Sequence, residues 1–408
     1  MDLVQASRKS QFFVIFLTIL LSTIGFGVCI PVLPLYAEKF NATETQNGLL
    51  IGVFSLLVFF TAPLWGKLSD RYGRRPVLLF SVLGSAAGYF LMGSANTLAM
   101  LFVARIIDGA SGGNVAAAQA YIADITTPEE RSKAMGLIGA AFGLGFIIGP
   151  ALGGILSEQI SAQAPFIFVG VLCLINALLV ATSLPETHTA ERRKQHGPQL
   201  PLSALPKHSD APLFFTVAVG YFLSLAAFAI MTMTFALFGE KRFDLDQTHI
   251  GYILATIGVV GVLIQGGLIR RLLPKYGEVP LARSGMLFLL IGFVLLPLVG
   301  SVTSLVIVCC LVAAGNSLVQ PTLNGLASRS VDAAWQGRAL GLLQSFASLG
   351  RAIGAWMGGW LLGMDRGLDH YGRTPFWVAA ALMLVTLVLA LKLRAPQGQT
   401  TVVEPVVI

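Results

Sequence analysis

Charge is what this sequence has least of. Asp, Glu, Lys and Arg make up 12% of 408 residues, against 55% hydrophobic, and the mean hydropathy is +0.78. Soluble domains carry roughly 25% charged residues. Water cannot be the solvent on every side of a chain so apolar, and part of its surface must face lipid. Cysteine is scarce too: Cys29, Cys173, Cys309 and Cys310 all fall inside apolar runs without metal-ligand spacing. That excludes a disulfide framework or a thiolate metal site and leaves small buried apolar side chains. The five histidines form no cluster. His188, His196 and His208 share one polar stretch, and His249 and His370 stand in short connections. No nucleophile–base set, nucleotide-binding loop or metal site is legible, so the chain is read as neither an enzyme nor a cofactor protein. A formal charge of +7 suits a nucleic-acid partner in principle. The basic residues instead lie in short loops between apolar segments, as membrane topology requires, and no nucleic acid is expected.

What is present is a series of long apolar runs. At about 20 residues per crossing, twelve spans are expected: 12–36, 47–66, 77–95, 98–122, 134–157, 165–184, 212–237, 248–269, 281–300, 302–325, 338–362 and 374–394. Arg8 and Lys9 precede the first run as they would in a signal peptide. That run is too long for one and lacks a small-residue cleavage site, so it reads as a retained span. With the N-terminus in the cytoplasm, external loops hold only Lys39, Lys241, Arg242, Arg366 and Arg373, and two arginines, Arg105 and Arg351, lie within spans. The rest of the 27 Lys and Arg are cytoplasmic, which places both termini there. The stretch 185–211, with three prolines in "ERRKQHGPQLPLSALPKHSD" and mixed charge, reads as a linker between an N-terminal bundle (1–184) and a C-terminal one (212–394), followed by a cytoplasmic tail (395–408).

The halves echo each other. Gly145, Gly149, Gly153 and Gly154 of span five recur as Gly350, Gly354, Gly358 and Gly359 of span eleven, each 205 positions later. "SKAMGLIG" matches "GRALGLLQ" at the same shift. A duplicated six-helix unit follows, as in carriers that rock around a central site.

Three stretches carry specific chemistry. "GKLSDRYGRRP", Gly66 to Pro76, packs Lys67, Asp70, Arg71, Arg74 and Arg75 between two apolar runs, with Gly66 and Gly73 allowing a tight turn. "GLGFIIGPALGGIL" in span five places Gly145, Gly149, Pro150, Gly153 and Gly154 on a helix, where small residues four apart permit backbone-to-backbone packing and Pro150 a bend. "RIIDGASGGN" in span four puts Arg105 and Asp108 about 15 Å below the outer surface, taking residue 98 as the start and 1.5 Å per residue. Helical angles set Arg105, Asp108, Gly112 and Gln119 on one stripe. Charges at mid-bilayer are costly and usually functional; the alternative is a fixed Arg105–Asp108 pair. Arg351 lies near the midplane of span eleven with Gln344 and Ser348 on its face. With Asn316, Gln320 and Asn324 of span ten, Tyr221, Ser224, Phe228 and Thr232 of span seven, and Gln265 of span eight, it would line a central pocket of mixed aromatic and polar character. For each neutral residue an interhelical hydrogen bond is the competing role. Arg351 either receives an anionic cargo group or pairs with Asp108.

The whole chain resembles the major facilitator superfamily. "GKLSDRYGRR" is similar to that family's signature loop after the second helix, and "IGFGVCIPVLP", "GAAFGLGFIIGPALGG" and "LPET" resemble its drug:proton antiporters, particularly the tetracycline-efflux exporters. The resemblance implies an all-α membrane protein of twelve helices in two pseudo-symmetric six-helix bundles. It implies that Gly66, Asp70, Arg71, Gly73, Arg74, Arg75 and Asp124 form a latch holding the cytoplasmic side closed, that the span-five glycines with Pro150 mark an exporter exchanging cargo for protons, and that Arg105 and Asp108 occupy the helix-four motif. That group carries acids in its first and third helices where this chain has Ser22, Thr23 and Gly88, leaving Asp108 as the deep carboxylate available for protonation. The expected function is a proton-coupled exporter of small amphipathic drugs in the bacterial inner membrane. It would act as a monomer, with the proton gradient and no cofactor as its energy source. The alternative is a carrier for a specific metabolite such as a sugar or organic anion, including uptake.

Overall fold

The computed structural model describes residues 2–126, 128–187, 210–332, 335–368 and 370–393, with side chains from Ser10 onward and, in the fifth helix, from Ile138 onward. Most of the expected linker, with its three histidines, and the tail lie outside the described residues. Twelve long helices follow one another: α1 (Asp2–Glu38), α2 (Glu44–Tyr72), α3 (Arg74–Gly93), α4 (Leu98–Ile125), α5 (Pro128–Gln159), α6 (Ala164–Ser183), α7 (Ala211–Phe243), α8 (Gln247–Tyr276), α9 (Glu278–Leu295), α10 (Val302–Arg329), α11 (Gln336–Met364) and α12 (Arg373–Ala390). Eleven are long and apolar enough to cross a bilayer. The exception, α11, is diluted by its glycines and by Arg351. Its 29 residues at 1.5 Å each still exceed a 30 Å core.

Several helices outrun their apolar windows: α2 reaches Tyr72, α7 Phe243 and α10 Arg329. Hydropathy marks where lipid ends, whereas a helix stops where its backbone is capped. Thr43 and Gln46 close a reciprocal box at the start of α2, and Ser301 and Ser304 do so at α10. Two spans are irregular. α4 breaks at Ser111–Gly113 between Leu98–Ala110 and Asn114–Ile125, and α8 passes through a π-helical segment, Ile264–Leu268.

The packing obeys the internal repeat. α1 lies along α5 as α7 lies along α11, and the two halves meet at the α2–α11 and α5–α8 seams. Gly145, Gly149 and Gly153 press on Thr23, Ile24 and Val28 of α1, while their counterparts Gly350, Gly354 and Gly358 press on Phe222, Ala226 and Ile230 of α7. Gly154 meets the Gln247 backbone of α8, and Gly359 meets the Glu44 backbone of α2. At these crossings a side-chain carbon would collide with the facing helix, which is why glycine recurs there.

Candidate functional site

The break in α4 sets up the buried charges. Gly112 and Gly113 lie against Val58 and Trp65 of α2 with no room for a side chain. Carbonyls released by the break find donors on neighbouring helices. The Trp65 indole N–H donates to Ala110 O (2.7 Å), Thr61 Oγ1 to Gly109 O (3.3 Å), and Ser81 Oγ to Ser111 O. Unwound backbone at this depth requires such protein partners. Of the expected stripe, Arg105 and Asp108 are buried, whereas Gln119, on the segment beyond the break, is exposed.

Arg105 Nη1 lies 3.2 Å from Asp108 Oδ2, with the side chains 1% and 4% exposed. The guanidinium has further anchors. It stacks 4.4 Å over Phe54, donates from Nε to Leu50 O (3.4 Å) and contacts Cys29 Sγ at 3.7 Å. Its Nη2 has no hydrogen-bond partner among the described residues. Beside it lies a small cavity bounded by Phe26, Cys29, Ile30 and Ile51, and by Thr232 of α7 in the other half.

In the loop after α2, Gly73 adopts φ 114°, open only to glycine, and lets α3 start at once. Arg74 then gathers the charges: Nη1 to Asp70 Oδ1 (2.6 Å) and Ser69 Oγ (3.0 Å), Nε to Asp124 Oδ2 (3.1 Å). The sequence reading missed Glu186 and Thr187. Glu186 accepts the backbone N–H groups of Arg74 (2.9 Å) and Arg75 (3.2 Å), capping α3, and Thr187 donates to Asp124 Oδ2 (3.1 Å). Arg75 donates to Ala181 O. The signal was the acid directly after span six in "LPET", able to reach a helix N-terminus that has no cap of its own. Asp70, Arg74 and Asp124 are thus one cluster within the first half. Arg71 stacks on the adjacent Tyr72, 5.4 Å from its ring.

The seams differ between their two ends. Toward the end opposite this loop, Gly48 and Gly52 of α2 touch Ala355, Gly359 and Ala352 of α11, and Gly251 and Gly258 of α8 touch Pro150 and Ile147 of α5. Toward the loop end, Gly66, Gly139, Gly266, Gly267, Gly337 and Gly341 have no described atom near the position of a side chain. Among the described residues the halves therefore join at one end and part at the other. An ionic clasp completes the joined end. Lys241 of α7 approaches Glu44 (3.4 Å) and Glu38 (3.9 Å), Arg366 approaches Glu44 (3.8 Å), and Tyr371 lies against Lys241.

The expected pocket residues divide accordingly. Gln119, Gln265 and Gln344 are exposed toward the parted end. Ser224 is buried and donates to its own helix at Gly220 O, and Phe228 is half-buried on α7. Deeper, Gln320 donates to Asn316 Oδ1 (3.2 Å), and Asn324 to Gln320 O (2.8 Å) and the Tyr221 hydroxyl (3.2 Å). Arg351 donates to Ser348 Oγ at 2.9 Å. Asp108 is not its partner.

The sequence profile of the Major Facilitator Superfamily matches residues 15–355. The chain is 35% identical to the tetracycline resistance protein, class H, of Pasteurella multocida over 85% of this chain and 87% of that protein. It is 30% identical to multidrug resistance protein 1 of Bacillus subtilis (strain 168), over 93% of this chain and 96% of that one. The crystal structure of the human organic anion transporter MFSD10 (TETRAN) superposes with a TM-score of 0.72 at 26% identity, covering 94% of this chain and 99% of that chain.

Proposed function

This chain belongs to the Major Facilitator Superfamily and is a multi-pass membrane transporter; on that premise we propose that it exports small amphipathic molecules in exchange for protons, by alternating access. The observation that carries the reading is the Arg105–Asp108 pair, with Arg105 lining the small cavity that Thr232 of the other half also bounds. A carboxylate this deep is costly unless used. Arg105 has anchors of its own in Phe54, Leu50 O and Cys29, so Asp108 can take a proton and release the guanidinium without leaving it unsupported. Relatives named for tetracycline and multidrug resistance support an exporter. Ser22, Thr23 and Gly88 stand where the family resemblance implies acids, which leaves Asp108 as the deep carboxylate for the proton.

The positive-inside rule assigns the loop end, with Lys67, Arg71, Arg74 and Arg75, to the cytoplasm, together with both termini, in a bacterial inner membrane. The described state then opens inward and is closed outside by the Lys241–Glu44 clasp. In the outward-open state α11 swings onto the Asp70–Arg74–Asp124 cluster, which acts as the latch. The glycines with Pro150 let α5 roll on α8. No cofactor is needed, and one protein molecule suffices.

The test is transport of an amphipathic dye into proteoliposomes under an imposed pH gradient. Wild type accumulates dye against its gradient and Asp108→Asn does not. Proton-driven accumulation by the variant refutes the coupling role, and gradient-independent flux through the wild type would make the protein a facilitative carrier.

A further inference from the structure

Arg351 is an isolated cation. It lies fifteen positions along a helix that starts at Gln336, about 22 Å along its axis. Its place on α11 is fixed by its neighbours. Gly350, Gly354 and Gly358 form the stripe that presses on α7, and Ala352, Ala355 and Gly359 form the stripe that meets α2. Residue 351 falls between these stripes at 100° per residue, so its side chain leaves the helix toward the cleft between the halves and away from lipid.

Two observations separate Arg351 from a structural ion pair. Among the described residues it has no carboxylate partner. Its one hydrogen bond goes to Ser348 Oγ, on its own helix. The natural counterion, Asp108, is held by Arg105. On α7, Phe222 packs against Gly350, next to Arg351, and the adjacent Tyr221 is 3% exposed. The Tyr221 hydroxyl already accepts a hydrogen bond from Asn324, so its own proton is free to be donated. The site therefore presents a guanidinium with unused N–H groups and a phenol O–H, without an acceptor to match them. An uncompensated cation in a low-dielectric cleft is expensive. A planar fork of donors is the geometry that binds a carboxylate through two parallel hydrogen bonds.

We propose that Arg351, with Tyr221, is the anion-recognising element of the cargo site, and that the preferred cargo of this transporter is an amphipathic organic carboxylate. The apolar body of such a molecule would lie against Phe228 on α7 and its head would reach Arg351 on α11. The inference rests on the reading of the cleft as the cargo site, and it adds a charge requirement that coupling to protons does not imply.

The experiment is equilibrium binding to the purified full chain in detergent, with no gradient, followed by quenching of intrinsic tryptophan fluorescence. The probes are naphthalene-2-carboxylate and naphthalene-2-carboxamide, equal in shape and different in charge. Wild type should prefer the carboxylate by about tenfold or more, the range for a hydrogen-bonded charge. Arg351→Gln should abolish the preference by weakening the carboxylate alone, and Arg351→Lys should retain part of it, since a point charge lacks the fork. Equal affinities in the wild type, or no binding of either probe, overturn the proposal without recourse to any variant. So does an undiminished preference in Arg351→Gln. Loss of proton coupling in Asp108→Asn leaves these affinities untouched, so failure of the export mechanism and failure of the anion site are read separately.

Discussion

Lys241, at the end of α7, stands 3.4 Å from Glu44, at the start of α2, and this pair joins the two halves of the transporter across their seam. Glu44 is nearly buried, with 5% of its side chain exposed, and Arg366 approaches it at 3.8 Å from the turn after α11. Both of its cations belong to the opposite half, so the carboxylate is satisfied only while this end is shut. Removing its charge leaves both cations without this counterion across the seam, Lys241 keeping only the longer approach to Glu38 at 3.9 Å. Glu44→Gln is expected to raise the rate at which an impermeant maleimide, added on this side, labels a cysteine placed at Thr232, by about tenfold for each 1.4 kcal/mol lost from closure. Unchanged labelling would show that the glycine contacts close the seam unaided.

A second expectation concerns the Arg105–Asp108 pair. Breaking one partner of a buried pair costs about 3–5 kcal/mol, whereas replacing both by apolar groups is often neutral. Asp108→Leu should therefore lower the unfolding temperature, and Arg105→Leu together with Asp108→Leu should recover most of the loss. Proton-driven accumulation should stay absent in both. Recovery of transport with recovery of stability would reduce the pair to a structural role. Thermal unfolding followed by tryptophan fluorescence and flux on the same preparations decides the matter.

How far the sequence could be read depended on sequence distance. The spans were legible because lipid imposes a length and a composition that each segment carries by itself. Gly154 and Gly359 were legible as a pair because duplication copied them at one offset. Arg105 and Asp108 are three apart, so their contact followed from helical spacing alone. The break at Ser111–Gly113 was hidden. Its carbonyls are satisfied by Thr61, Trp65 and Ser81, on helices 30 to 48 positions away, and nothing local demands that a small-residue stretch unwind. The clasp was hidden for the same reason, with Lys241 lying 197 positions from Glu44. α11 met the expectation of a span from its place in the repeat, while its glycines and Arg351 keep it below the hydropathy of the other eleven.

The glycine seams yield a third expectation, and it is symmetric. Gly154 presses on Gln247 and Gly359 on Glu44, so valine at either position drives the same end of the seam apart. Gly154→Val and Gly359→Val should each shift the equilibrium away from the state described above, seen as increased distance between spin labels on α2 and α11. Gly341→Val should not disturb this state, because no described atom lies near that position. It would instead oppose closure at the loop end and slow the cycle. If Gly341→Val transports normally, α11 does not approach its neighbours there during turnover.

The last expectation isolates the cap that the sequence reading missed. Both oxygens of Glu186 accept N–H groups from the first turn of α3, Arg74 at 2.9 Å and Arg75 at 3.2 Å. A carboxylate there satisfies two orphan donors and sits at the positive end of the helix dipole. Glu186→Ala removes both effects at a cost of about 1 kcal/mol, whereas Glu186→Gln keeps one acceptor oxygen and loses the charge. Amide exchange at Arg74 and Arg75 should accelerate in the order wild type, Gln, Ala. Since the Arg74 side chain holds Asp70 and Asp124, loosening its backbone should also weaken the latch, and flux should fall in the same order while the protein remains folded. Fast exchange with full transport would place Glu186 in the stability of α3 alone. Reduced transport with slow exchange would mean that its charge acts on the cluster directly and not through the helix it caps.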